Sequence, residues 1–418
     1  MAEFFLGLDF GSSGARACVL DEAGETVHES RAPYADPTDP QKWREALFDL
    51  IQGLPAGVRA GLSAIAIDGT SGTLLATDSA LEPLGPALLY NDGRAVEEAR
   101  ALAHPQYGPT SGLAKRLWFA RHAPNAACCL HQADWVAALL TGKTGITDYH
   151  NALKSGFDVE KLAWPDWVGR LPGAHWQQKV LAPGEAISPL DAAVAAHYGL
   201  NRDCIVRAGT TDSIAAFIAA GVGRTGEAVT SLGTTLALKL LSDTRVEDPA
   251  SGVYSHRFGG LWLAGGASNS GGGVLGQFFS PTQLQALSGR IDPSHASGLD
   301  YYPLPRPGER FPLNDPQLAP RMQPRPESDA EFLHGLLEGI AAIEANGYRR
   351  LMELGASPLK RVVTAGGGAG NSVWRKIREL ALKVPVETAR HAEAAVGAAR
   401  LAREGTALLP TGNHIAGI

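Results

Sequence analysis

Short apolar runs that stop at Gly, Ser, Thr or Asp recur along the chain and set its predicted elements. Phe4-Phe5-Leu6-Gly7-Leu8-Asp9-Phe10 leads into Gly11-Ser12-Ser13-Gly14, and Ala15-Arg16-Ala17-Cys18-Val19-Leu20 follows. Two apolar runs around a tight Gly/Ser turn predict a strand, a hairpin turn and a second strand. Residues 26–31 predict a third strand of the same meander, and Trp43, Leu47, Leu50 and Ile51 fall at helical spacing within 42–53. Residues 62–68 predict a buried strand that again ends on a carboxylate, Asp68, and residues 73–78 predict another strand. A hairpin followed by helix and strand points to an α/β layer other than a plain dinucleotide-binding unit.

Further along, residues 113–140 are mostly Ala and Leu and predict helix. Thr141-Gly142-Lys143-Thr144 imitates a phosphate-binding P-loop, but that motif needs Gly where Ala137 stands and a strand before it. Gly142 is predicted to cap a helix instead. Trp164, Trp167 and Trp176 lie in a Pro- and Gly-rich segment that predicts a surface excursion. Residues 204–217 predict a buried strand ending in Gly209-Thr210-Thr211, then a helix with Asp212 in its first turn. Residues 227–239 repeat the opening design around Gly233-Thr234-Thr235, and residues 361–372 run through Gly366-Gly367-Gly368 into a helix around Trp374. Residues 265–276 are glycine-rich and predict a flexible loop, and the repeated prolines of 303–326 predict an extended surface loop.

Five stretches carry candidate chemistry. The turn Gly11-Ser12-Ser13-Gly14 exposes backbone N–H groups and two hydroxyls, which suits an anion, and Asp9 beside it suits a hydrated Mg²⁺ that a phosphate also ligates. An ordinary hairpin with a solvated Asp is the plain alternative. The loop Asp68-Gly69-Thr70-Ser71 supplies hydroxyls and a carboxylate fit for a polyol, or simply a hydrogen-bonded turn. Asp92 and Arg94 either face a ligand or pair with each other. Asp212 is either a carboxylate favoured by the helix dipole or a group that accepts a proton from a substrate hydroxyl. The glycines at 366–368 fail the dinucleotide fingerprint because Asn371 stands where Gly is required, yet small backbone at a helix start suits a nucleotide.

Composition narrows the partners. A chain of 418 residues is long enough for two domains. A formal net charge of -6 argues against nucleic acid and anionic surfaces as partners. Four cysteines, two of them adjacent at Cys128 and Cys129, make no disulfide framework or zinc motif, which fits a reducing compartment. With no basic leader and no run of membrane-spanning length, a cytoplasmic protein without a membrane partner is expected.

The ordered set of strand-Asp-x-Gly-Ser-Ser turn, Asp212 opening a helix, Ser231-Leu232-Gly233-Thr234-Thr235 turn and late Gly366-Gly367-Gly368 resembles the actin/hexokinase-type ATPase fold. Within that fold it resembles the FGGY carbohydrate kinases over essentially the whole chain. Residues 111–118 look like the family's first signature and residues 366–375 like its second. The resemblance implies an α/β architecture of two actin-like domains, each a mixed five-stranded sheet flanked by helices, with a cleft between them. The expected domains are 1–223 and 224–418, and the expected cofactors are ATP and Mg²⁺. It implies that Gly11, Ser12, Ser13 and Arg16 form the first phosphate hairpin, with Asp9 near the metal. Gly233, Thr234 and Thr235 would form the second hairpin, and Gly367, Gly368, Asn371 and Trp374 the adenosine site. Asp212 matches the family's general base. Asp9, Asp68, Gly69, Thr70, Ser71, Asp92, Arg94 and Asp212 would face the sugar. The loop at Asp68 departs from the Met-His pair of bacterial xylulose kinases and looks more like compact D-ribulose kinases of cyanobacteria and plants. The expected activity is phosphorylation of a ketopentose, D-ribulose first, with xylulose or another ketose or polyol as the alternative. A non-catalytic sugar sensor or a sugar-independent ATPase switch on the same fold is the rival of another class. A monomer or homodimer is expected.

Overall fold

The computed structural model describes residues 2–412. They fall into two compact units, residues 2–219 with Glu393–Leu408, and Ala220–Ala392 with residues 409–412. The expected boundary at 223 lies close to this division, but the expected second domain does not hold all of the C-terminal segment. The helix Ala394–Glu404 belongs to the first unit, and residues 413–418 lie outside those described.

The first unit is built on a six-stranded sheet. Its order is Thr26–Pro33, Gly14–Asp21, Phe4–Phe10, Leu62–Gly69, Ile205–Thr211 and Ala186–Pro189. The first three strands form an antiparallel meander, whereas Phe4–Phe10, Leu62–Gly69 and Ile205–Thr211 run parallel. Buried parallel strands read as continuous apolar runs, and six of the seven residues of Phe4–Phe10 are buried. Helix Pro40–Gln52 covers one face: Asp39 Oδ1 accepts from Gln41 N (2.9 Å) at its start, and Trp43, Leu47, Leu50 and Ile51 point inward. The returning helix Ala394–Glu404 covers the other face and packs on Cys18 and Leu20 through Ala395, Val396 and Ala399. Its small residues allow near-contact of backbones. A Cβ on Gly7 would stand 2.1 Å from Ala395 O, and one on Gly397 would stand 1.8 Å from Ala215 O.

The second unit repeats the plan. Its sheet runs Tyr254–Phe258, Leu261–Ser268, Leu236–Ser242, Glu227–Leu232, Arg361–Ala365 and Val386–Thr388. In both units five strands share one order, and an antiparallel edge strand, Ala186–Pro189 or Tyr254–Phe258, adds a sixth to the five expected. The long helix Asp329–Glu353 packs on this sheet. Its Glu344 forms a fully buried pair with Arg378 of helix Ser372–Leu382, at 2.6 Å to Nε and 2.7 Å to Nη2. Thr230 and Thr364, cross-strand partners, donate and accept the remaining bonds.

Four local expectations change. The helical stretch at 113–140 is two helices, Gly112–His122 and Gln132–Thr141, separated by strand Cys128–His131, which pairs with Leu74–Thr77. The glycines at 265–276 do not form a flexible loop. Gly265 and Gly266 lie in strand Leu261–Ser268, where a Cβ would collide with Leu238 O at 2.1 Å or with the Phe311 ring at 2.4 Å, and Gly272–Leu275 is a helical turn. Residues 303–326 are irregular but anchored, because Leu304, Phe311 and Glu309 are buried. Trp176 is also buried, with its Nε1 donating to Ala126 O (3.2 Å), so the tryptophan segment is no simple surface excursion.

The Glu344–Arg378 pair gives a direct test of what holds the second unit. Replacing one partner leaves a buried charge alone and costs about 3–5 kcal/mol, whereas replacing both with apolar residues of similar volume is close to neutral. Glu344→Leu is therefore expected to lower the unfolding midpoint strongly. The double variant Glu344→Leu/Arg378→Met is expected to regain most of that loss in chemical denaturation.

Candidate active site

In the first unit the opening turn sits between Phe4–Phe10 and Gly14–Asp21, closed by Gly11 N donating to Gly14 O (3.1 Å). Ser12 and Ser13 are exposed at its tip, and Arg16, half-exposed, donates from Nη1 to Asp9 Oδ2 (3.2 Å). The parallel register sets Asp9 directly beside Asp68, and Thr210 also pairs with Asp68 on the next strand. Two residues on, Asp212 opens helix Asp212–Ala219, half-buried, with its Oδ1 accepting from Ser213 N (2.6 Å). Three carboxyl groups thus stand at the ends of three neighbouring strands.

They do not have equal roles. Asp68 is fully buried, and no N–H or O–H donor reaches either of its oxygens. Burial, then the charges of Asp9 and Asp212, push its carboxyl well above the ordinary range. Burial also raises Asp9, opposed by a hydrogen bond shared with Asp68 and by the Arg16 guanidinium. Of the two, Asp68 is the one pushed further toward its neutral form. It presents no exposed atom to a ligand, so the expected sugar contact at Asp68 does not fit this geometry. Asp9 fits a magnesium ion in the manner of one carboxylate sharing the ion with phosphates. Among the described residues there is no group of three or more His, Cys, Asp or Glu able to form an all-protein cage.

Most of the loop after Asp68 is occupied by its own bonds. Thr70 donates to Gln132 Oε1 from N (3.0 Å) and from Oγ1 (2.9 Å), and its hydroxyl also lies 2.6 Å from that of Thr73. Gly69 is buried against Gln132. Ser71 remains half-exposed. Lys115, not singled out from the sequence, is completely buried and joins two segments by donating to Gly72 O (2.9 Å) and Leu89 O (2.5 Å). Burial lowers its ammonium to about 8. Asp92 and Arg94 pair with each other (2.8 Å), and the Arg94 guanidinium lies over the Trp118 ring.

In the second unit the corresponding turn, Gly233-Thr234-Thr235, joins Glu227–Leu232 to Leu236–Ser242. The backbone of Gly272 and Gly273 donates to Gly233 O (2.8 Å) and Thr234 O (3.0 Å), so a second glycine segment lies flat against it. Gly233 and Thr234 border a cavity of about 880 Å³ also lined by Gly367, Gly368, Asn371 and Trp374. Trp374 is buried and donates from Nε1 to Leu337 O (3.1 Å), so it forms the wall without offering a polar group. Both ends of the Asn371 amide are used: Oδ1 caps helix Ser372–Leu382 through Trp374 N (3.0 Å), and Nδ2 donates to Ser288 Oγ (2.9 Å). The opposite wall is helix Pro281–Ser288, absent from the sequence-based picture. Its capping box, Ser280 with Gln283, was the signal that would have found it.

A nucleotide-sized cavity and an anion turn in one unit, with an anion turn and a carboxylate row in the other, agree with the family comparison. The model of the FGGY carbohydrate kinase N-terminal domain matches residues 4–219, and that of the C-terminal domain matches residues 228–403. The chain is a member of the FGGY family of carbohydrate kinases. It is 27% identical over 443 aligned residues to the xylulose kinase of Escherichia coli K12, covering 96% of this chain and 89% of that protein. It is 21% identical to the gluconokinase of Bacillus subtilis, covering 90% of this chain and 82% of that protein. Among solved structures, the xyloylose kinase of Brucella ovis superposes with a TM-score of 0.85 at 25% identity, covering 98% of this chain and 93% of that one. Plasmodium falciparum glycerol kinase, with a TM-score of 0.82 at 16% identity over 99% of this chain and 92% of that one, shares the fold. These relatives are named for xylulose, gluconate and glycerol, so the expected closeness to ribulose kinases is not shown.

For this FGGY kinase the state of Asp68 predicts a pH dependence. Its folded carboxyl lies above the ordinary value of 3.8, so the folded state binds the proton more tightly than the unfolded one. Stability is then fully present below the unfolded value and is lost as pH rises through the folded one. Asp68→Asn is expected to flatten that loss with rising pH in unfolding midpoints measured across pH; an unchanged slope would show that the Asp68 carboxyl is not raised in the folded state.

Proposed function

We propose that the chain transfers the γ-phosphoryl group of ATP to the terminal hydroxyl of a ketopentose, with D-ribulose as the preferred acceptor and D-ribulose 5-phosphate as product. The observation that carries this reading is the accessible carboxylate of Asp212 at the strand ends beside the opening turn. A carboxylate there can accept the hydroxyl proton, while the turn's N–H and hydroxyl groups can hold a phosphate. Phosphoryl transfer asks little covalent chemistry of the protein, so positioning and charge neutralisation carry the rate. Gly11, Ser12, Ser13 and Arg16 would cradle one part of the triphosphate and Gly233, Thr234 and Thr235 another. Mg²⁺ held by phosphates and Asp9 would neutralise charge. The cavity bordered by Gly367, Gly368 and Trp374 would take the adenosine.

D-Ribulose is favoured by the Asp68-Gly69-Thr70-Ser71 loop, which lacks the Met-His pair of the resemblance to xylulose kinases. A second reading, D-xylulose as acceptor, is favoured by the names of the relatives. A panel of D-ribulose, D-xylulose, other ketoses, gluconate and glycerol in a coupled ADP-release assay decides between them by kcat/KM. The same assay separates the rival classes. A kinase releases ADP with sugar, a sensor releases none, and an ATPase switch releases it without sugar.

Asp212→Asn is expected to lower kcat about 10²–10⁴-fold, the span of a general base, with ATP affinity unchanged. Retention of most of kcat would remove Asp212 from that role. Ser71→Ala is expected to raise the sugar KM about fivefold, the loss of one hydrogen bond of about 1 kcal/mol, and leave the ATP KM unchanged.

A further inference from the structure

The strand that carries Asp212 is irregular where regularity would be expected. Its pairing with Leu62–Gly69 shifts register between Arg207 and Thr210. Gly209 lies in the shift, and a Cβ there would stand 1.7 Å from Ile67 O. A bulge of this kind re-aims the residues that follow it. The ladder resumes at Thr210 and Thr211, and a short helix, Tyr149–Lys154, adds a second hold. His150 Nδ1 and Thr210 Oγ1 share a hydrogen bond of 2.8 Å, and Asn151 Nδ2 donates to Thr210 O at 3.4 Å. Consecutive residues of one helix therefore grip both the side chain and the backbone of Thr210. Asp148 fixes that helix in turn, accepting from His150 N (2.7 Å), Asn151 N (3.2 Å) and Asn151 Nδ2 (2.6 Å). Asp148, His150, Asn151 and Thr210 are all at most 1% exposed. None of them reaches solvent, and none is among the residues expected to touch substrate.

We infer that Thr210 and His150 are positioning residues for Asp212: their hydrogen bond fixes the direction in which the re-aimed strand end delivers that carboxylate. Lys154 lies one turn beyond His150 on the same helix face, where i and i+4 residues are neighbours. Its ammonium is lowered by burial and raised by the charge of Asp212, which agrees with the helix face meeting that site. The inference rests on the proposed role of Asp212 as proton acceptor.

The test is a double-mutant cycle in the sugar-dependent ADP assay, on the full chain. Thr210→Val keeps the shape and removes the hydroxyl; it is expected to lower kcat about tenfold with the ATP KM unchanged, and to lower the unfolding midpoint as His150 Nδ1 loses this buried partner. Thr210→Ser restores the hydroxyl and is expected to recover kcat. In the Asp212→Asn background Thr210→Val is expected to cost nothing more, because the group it aims is gone. Wild-type kcat in Thr210→Val, no recovery in Thr210→Ser, or full additivity with Asp212→Asn would each overturn the inference. Undiminished activity in Asp212→Asn alone would sink the base assignment instead, and the two failures are read from separate arms.

Discussion

The parallel ladder between Phe4–Phe10 and Leu62–Gly69 fixes where the carboxyl groups of the first unit stand. Because the partners Asp9 and Asp68 are in register, two acids meet side by side at the strand ends. One of them must be neutral, since like charges in a water-poor site oppose each other. Burial selects Asp68, which has no donor to stabilise an anion, and Arg16 reaches Asp9. The ladder itself depends on the far end of the chain. Gly7 lacks a side chain, and helix Ala394–Glu404 uses that space to cover the sheet.

The second unit solves the same placement problem with different means. Its first strand and Arg361–Ala365 are also parallel and also end in glycine-rich turns. Here the strand ends carry Ser231 and Ala365 in place of acids, and one residue earlier the buried Thr230 and Thr364 are both satisfied by the Glu344–Arg378 pair. The charge is spent on fixing helix Ser372–Leu382, whose first turn edges the cavity, and the strand ends are left uncharged. One strand order thus supports an acid-rich site in the first unit and a smooth, glycine-lined pocket in the second.

What the sequence disclosed follows from how local each feature is. The two strand-turn-strand motifs, the helix opened by Asp212 and the cap at Gly142 depend on neighbouring residues, and the structure places all of them as expected. The return of Ala394–Glu404 to the first unit depends on Gly7 and Gly397 meeting backbone from distant segments, which no local pattern encodes. Glycine itself misled at 265–276, because it marks close packing as readily as freedom of the chain. Strand-end carboxylates look alike in sequence whether solvated or sealed, so the difference between Asp68 and Asp212 emerged only with burial. The roles of Lys115 and Arg378 were hidden for the same reason: each is a cation of ordinary appearance whose partners lie far along the chain.

These internal bonds also limit how the proposed acceptor site can discriminate between sugars. Thr70 is taken by Gln132 and Thr73, Lys115 by two carbonyls, and Asp92 by Arg94. Of the loop residues expected to face the sugar, Ser71 is the half-exposed one. D-Ribulose and D-xylulose differ only in the configuration at C3, so the site tells them apart through one hydroxyl. A buried polar group left unpaired costs about 1–3 kcal/mol, which bounds the preference at roughly fivefold to 150-fold. A proposed site that reads one hydroxyl in this way would favour one epimer without excluding the other.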